Sequence, residues 1–138
     1  MYIVASTNAR VGLIDAMSVL TGGGAALDAV EIAIRAVEAN ADDHSVGYGG
    51  YPNFLGEVEL DAGLMEGREL TAGAVAALRG FKHPISIARQ VMERLPHVLL
   101  AGEGAARFAE EMGHERTNLL TEDARRAWAE RLKTDLPP

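Results

Sequence analysis

The sequence predicts an α+β fold, and three observations carry that prediction. Segments with helical apolar spacing lie on both sides of the chain's middle, over residues 10–38 and again beyond residue 84. Between them Val58, Leu60, Ala62 and Leu64 alternate with Glu57, Glu59, Asp61 and Gly63, which is the period of a strand. Glycine clusters, "TGGG" at residues 21–24 and "VGYGGY" at 46–51, interrupt the pattern where turns are needed.

The elements follow in order. Residues 2–5 ("YIVA") read as a short strand. Residues 10–20 place Val11, Ile14, Met17 and Leu20 on one helical stripe, and "TGGG" ends it. Residues 25–38 form the cleanest helix, with Leu27, Val30, Ile34 and Val37 on one face and charged residues on the others. The polar stretch "NADDH" closes it. Residues 46–50 are expected to pair antiparallel with the alternating strand through "YPNFLG". Glu66-Gly67 suits a tight turn into a third strand over residues 69–78, "ELTAGAVAAL". Its small side chains require a close neighbour, either a helix layer or a second sheet.

Helices resume after Pro84, a residue suited to a first turn, with Ile85, Ala88, Met92 and Leu95 on the buried stripe. "HVLLA" at 97–101 is a short apolar strand, followed by a helix over 104–112. Thr121 can cap a last helix over 122–133, with Ala124, Trp128 and Leu132 spaced four apart, and "DLPP" stops it. So thin a sheet, with a face of small residues, points to a missing partner.

Composition narrows the function classes. With 138 residues and 48% hydrophobic content, one domain with a core is expected. A net charge of -7 with scattered basic residues argues against nucleic acid or an anionic membrane, because phosphates must be neutralised by clustered cations. No apolar run approaches the roughly 18 residues that span a bilayer, and "MYIVAST" lacks the basic start of a signal peptide. The chain has no cysteine, which excludes disulfides and thiol chemistry and fits a reducing cytoplasm.

Local catalytic motifs are absent: no G-x-S-x-G, S-x-x-K or H-E-x-x-H occurs. His44, His83, His97 and His114 lack metal-ligand spacing, so neither a metal nor any other cofactor is expected. "VGYGGY" is not a phosphate loop, since no Gly-Lys-Ser/Thr follows it, and "TGGG" reads as a helix–helix turn. Glu57, Glu59 and Asp61 could be paired carboxylates for acid–base work. The two glutamates read instead as the wet face of a sheet, while Asp61 is open between the two roles.

The segment "SVGYGGYPNFLGEVELDAGLMEG" resembles the glycosylasparaginases, the N4-(β-N-acetylglucosaminyl)-L-asparaginase branch of the N-terminal-nucleophile hydrolases. The likeness continues through "GGGAALDAVE", "AGAVAALRGFKHPISIARQVMERLPHVLLAGEGAARFA" and "NLLTEDARRAWAERLK" and so covers nearly the whole chain. It implies a four-layer αββα sandwich, of which residues 1–138 are the α-subunit half of a single domain completed by a separate β subunit. In that family a precursor cuts itself before a threonine, which then heads the β subunit and serves as nucleophile, its own α-amine acting as base. The chain stops before any "D-T-[IV]-G" motif, so no catalytic residue is expected within it, and an (αβ)2 assembly is implied. Because the apolar face of such a half-domain would be bare, the isolated chain is expected to be aggregated or molten.

Two positions carry over to the substrate site. Ser45, heading "SVGYGG", resembles a serine lining the nucleophile's pocket; its alternative role is to cap the strand turn. Asn8 stands where the family's "S-T-W" segment has a tryptophan at the substrate funnel, and an amide cannot stack on a sugar as that ring can. Gly47 and Gly49 are expected to let the backbone approach the nucleophile closely. Gly47 also replaces the asparagine of the "F-N-A-G" motif of the isoaspartyl peptidase/plant-type asparaginases, which favours glycosylasparagine over asparagine or β-aspartyl peptides as substrate. The alternatives are an L-asparaginase or isoaspartyl peptidase of the same family, or an uncleaved, non-catalytic scaffold for protein interaction.

Overall fold

The computed structural model describes residues 1–135. A short 3-10 helix, Thr7–Gly12, leads into α1 (Leu13–Thr21) and α2 (Ala26–Glu38), and a long irregular loop then leads to β1 (Glu59–Glu66) and β2 (Thr71–Arg79). Helix α3 (Pro84–Arg94), strand β3 (Leu99–Ala101), helix α4 (Gly102–Glu111) and helix α5 (Glu122–Asp135) follow. The α+β class is as expected, and so is the hairpin at its centre. The "DLPP" stop extends beyond the described residues.

The sheet has three strands in the order β1-β2-β3, with β1 antiparallel and β3 parallel to β2. Helix α3 is the crossover between the two parallel strands, the connection that parallel pairing requires. Only one sheet is formed by the described residues, and neither its β1 edge nor its β3 edge is paired within them.

Helices α3 and α4 cover one face of this sheet. The main core lies there, built from Val75, Leu78, Ile87, Val91 and Phe108 among others. Gly73 explains how α3 gets so close: a Cβ on it would stand 2.2 Å from the Ala88 carbonyl oxygen. The small residues of β2 thus serve a helix layer on this face. On the other face Ala72 and Ala74 alternate with the buried residues and are only partly covered. Their cross-strand partners Met65 and Leu99 are exposed.

Two expected strands do not form. Residues 2–5 have no strand partner, and Tyr2 and Val4 are 95% and 96% exposed, while Ile3 packs on the α1–α2 pair. The segment lies against these two helices instead of pairing with either open edge of the sheet. Residues 46–50 form turns, because Gly47 (φ +74°) and Gly49 (φ +85°) take a left-handed backbone that cannot continue a ladder.

The helices form as their periodicity predicts, but two of them turn a different face inward. α1 and α2 meet through Gly12, Ala16, Ala29 and Ala33; a Cβ on Gly12 would lie 2.6 Å from the Ala33 Cα. The larger residues Val11, Ile14, Met17 and Val30 consequently point outward and are exposed. At α5 the predicted cap is present: the Thr121 hydroxyl oxygen accepts the Ala124 N–H at 3.2 Å. β3 starts at Leu99, two residues later than the sequence suggests, leaving His97 exposed before it.

Candidate functional site

The loop after α2 is tied down by its own backbone. The Tyr48 N–H donates to the Glu38 carbonyl at 2.8 Å, and the Gly49 N–H donates to the Leu119 carbonyl at 2.8 Å. The His44 ring, whose Nδ1 donates to the Gly49 carbonyl at 2.7 Å, stacks on Tyr51 with centroids 4.8 Å apart. Gly47 and Gly49 are buried behind Ser45; at Gly47 a Cβ would come within 2.1 Å of the Glu38 carbonyl oxygen. This glycine knot is therefore a β-less corner held by α2 on one side and the segment before α5 on the other.

That corner presents Ser45 at the surface, facing the 3-10 helix that carries Asn8. The Asn8 Nδ2 donates to the Ser45 hydroxyl oxygen at 3.4 Å, across 37 residues of chain. Asn8 is itself oriented by Ser6, whose hydroxyl donates to Asn8 Oδ1 at 2.5 Å. On the far side the Ser45 hydroxyl donates to Asp43 Oδ1 at 2.5 Å, and the Ser45 N–H donates to the same oxygen at 2.9 Å. Asn8 and Ser45, the two candidate residues expected at the site, thus adjoin one another in a single hydrogen-bonded chain.

Asp43 is the residue that the sequence reading passed over. Its carboxyl is held below the usual carboxylate range, first by the Ser45 hydroxyl and then by the Ser45 N–H, with smaller help from the Asn8 amide and His44 against the cost of burial. A signal was available: Asp followed two residues later by Ser is the spacing of an Asx-turn.

The other candidate carboxylates are occupied structurally. Glu57 and Glu59 both pair with Arg79, and Glu59 also accepts from Asn53 Nδ2 at 2.6 Å. Asp61 sits opposite a β-bulge, where Ala77 has φ +51° and donates its N–H to Asp61 Oδ1 at 2.8 Å. Asp61 therefore holds a backbone irregularity. No cluster of three or more His, Asp or Glu suited to a metal occurs among the described residues, and no described helix is long and apolar enough to cross a membrane.

Comparison with known proteins decides the family. A family model described as asparaginase matches residues 7–136. The chain belongs to the asparaginase family. Within this family it is 48% identical over 121 residues to the N(4)-(β-N-acetylglucosaminyl)-L-asparaginase of Elizabethkingia miricola, covering 88% of this chain and 35% of that protein. It is 49% identical over 107 residues to a plant-type L-asparaginase of Thermococcus kodakarensis, covering 78% of this chain and 35% of that one. A mouse isoaspartyl peptidase/L-asparaginase is 47% identical over 95 residues, 69% of this chain and 29% of the relative. The asparaginase-family chain thus spans 35%, 35% and 29% of the length of these three relatives.

Proposed function

We propose that this chain is the α half of a cleaved amidohydrolase that acts on the side-chain amide of asparagine derivatives. The observation that carries the reading is the asparaginase-family match along residues 7–136 in a chain that spans only 35% of the Elizabethkingia relative. The bare face of the sheet and the outward apolar residues of α1 and α2 support a β partner that supplies the second sheet of an αββα sandwich, with pairs of αβ units forming (αβ)2. The intact protein works in the cytoplasm.

The chemistry on this reading divides between the chains. A threonine at the head of the β partner attacks the amide carbon through its hydroxyl, whose proton passes to that residue's own α-amine. The amine returns the proton to the departing nitrogen, which leaves as ammonia or a glycosylamine. Water then attacks the resulting ester, releasing aspartate and restoring the threonine hydroxyl. Ser45 contacts this nucleophile, Asn8 lines the entrance for the substrate, and Gly47 and Gly49 form the wall behind Ser45.

Glycosylasparagine is the preferred substrate. L-asparaginase or isoaspartyl peptidase activity is the second reading, and the 49% and 47% identities to relatives with those names favour it. Asn8 supports it too, since it offers an amide where a flat ring would grip a sugar.

The test is expression of the full-length protein, determination of the N-terminus of each product, and measurement of aspartate released from glycosylasparagine, asparagine and a β-aspartyl dipeptide. A fragment beginning with threonine and turnover of glycosylasparagine are expected. Release from asparagine alone would overturn the substrate preference, and an uncleaved, inactive protein would overturn the enzyme reading. Ser45→Ala is expected to slow turnover about fivefold, the equivalent of one hydrogen bond of about 1 kcal/mol.

A further inference from the structure

The chain of hydrogen bonds through Ser45 has a direction. The Ser6 hydroxyl donates to Asn8, Asn8 donates to Ser45, and Ser45 donates to Asp43. A serine hydroxyl has one hydrogen, and here Asp43 holds it, so any further partner of the Ser45 oxygen must be a donor. Asp43 Oδ2 is buried and accepts no hydrogen bond within the described residues. Asp43 forms no ion pair among the described residues, and His44 is the charged neighbour that helps to hold its carboxyl low.

We propose that Asp43 is a positioning residue: by fixing the Ser45 hydroxyl hydrogen it turns Ser45 into a pure acceptor, which receives the α-amine of the partner's leading threonine. This rests on the function proposed above. It assigns Ser45 a direction that the sequence does not, and it adds a charge near the amine. A carboxylate several ångströms from an amine favours the protonated amine and raises its pKa. Asp43 thus orients the base and also sets the pH at which it becomes free to act.

Two substitutions separate those effects in the full-length, processed protein. Asp43→Asn keeps an acceptor oxygen for both Ser45 donors but removes the charge. Asp43→Ala releases the hydroxyl. With the substrate that the wild type turns over best, Asp43→Ala is expected to lower kcat by up to about fivefold, no more than Ser45→Ala does, with KM little changed. Added to Ser45→Ala, it should cost little more, because Asp43 acts through Ser45. Asp43→Asn should retain most of kcat but move the acid limb of the kcat/KM profile down by about one pH unit.

Additive losses for the two alanine variants, together with an unmoved acid limb in Asp43→Asn, would overturn the proposal while leaving the function standing. A wild type that is neither cleaved to expose a threonine nor able to release aspartate would overturn both.

Discussion

Glu38 Oε1 accepts the backbone N–H of Ile85 at 3.0 Å, so a carboxylate at the end of α2 seats on the first turn of α3. The side chain is 1% exposed, and its other oxygen accepts from His83 Nδ1 at 3.3 Å. The helix N-terminus favours a negative charge there, yet burial outweighs the hydrogen bonds and raises the Glu38 pKa above the ordinary carboxylate value.

A pH dependence follows from that shift. Between the ordinary carboxylate pKa and the raised folded value, the folded protein binds the proton more tightly than the unfolded chain. This group's contribution is therefore greatest at or below the ordinary value and is lost as pH rises through the folded one. Glu38→Gln should flatten the dependence of melting temperature on pH above the ordinary carboxylate value and still accept the Ile85 N–H. Glu38→Ala should cost about 2 kcal/mol by leaving that donor unpaired. Melting curves of the full-length protein across this range check both.

At Gly47 the close approach to the Glu38 carbonyl and the left-handed φ act together. Gly47→Ala should destabilise by about 2–4 kcal/mol, from strain and overpacking combined. Soluble yield and thermal midpoint would both fall. A variant as stable as the wild type would mean that the corner relaxes more easily than its packing suggests.

Arg89 ties α3 to α2. Its Nη1 reaches Asp28 Oδ1 and Glu31 Oε2, each at 2.7 Å, its Nε reaches Glu93 at 2.7 Å, and these carboxylates raise its pKa. Glu31 is mostly buried and also receives the Ser86 hydroxyl at 2.5 Å. Arg89→Met should cost about 1–2 kcal/mol, chiefly by stranding Glu31, because the half-exposed Asp28 and Glu93 pairs contribute little. Denaturant titration at low and high salt should show the difference persisting, since a buried pair is screened less than an exposed one.

Ile14 tests the proposed β partner directly. It is 80% exposed on the outer side of α1. Were it to stay in solvent, Ile14→Glu would change stability by no more than about 0.5 kcal/mol. Burial beneath a β partner predicts a loss of several-fold that size in the full-length protein, seen as reduced processing and a lower melting temperature.

The sequence reveals most of the secondary structure, because helical and strand periods are local properties. The hairpin, α3 and the Thr121 cap all follow from patterns a few residues long. The inward faces of α1 and α2 are harder to read: Ala29 and Ala33 win over Val30 because two helix backbones meet at Gly12, a contact made across the fold. The residues 46–50 mislead for a similar reason, since apolar and aromatic residues suggest a strand while Gly47 and Gly49 adopt dihedrals that no strand allows. At the site, Asn8 and Ser45 come from family likeness. Their hydrogen bond to each other does not, and neither does Asp43, which lies next to His44 in a polar stretch that reads only as the end of a helix.

The sheet's unpaired borders have a consequence for the cell. Among the described residues β1 and β3 each leave one edge without a strand partner, and an open edge is a template for pairing with another chain. Copies of this chain that met at such edges would add side by side, strand to strand, into open-ended ribbons. On the two-piece reading proposed above, a partner held in the same polypeptide would cover these edges before separate copies could meet, and cleavage after that point would not expose them again.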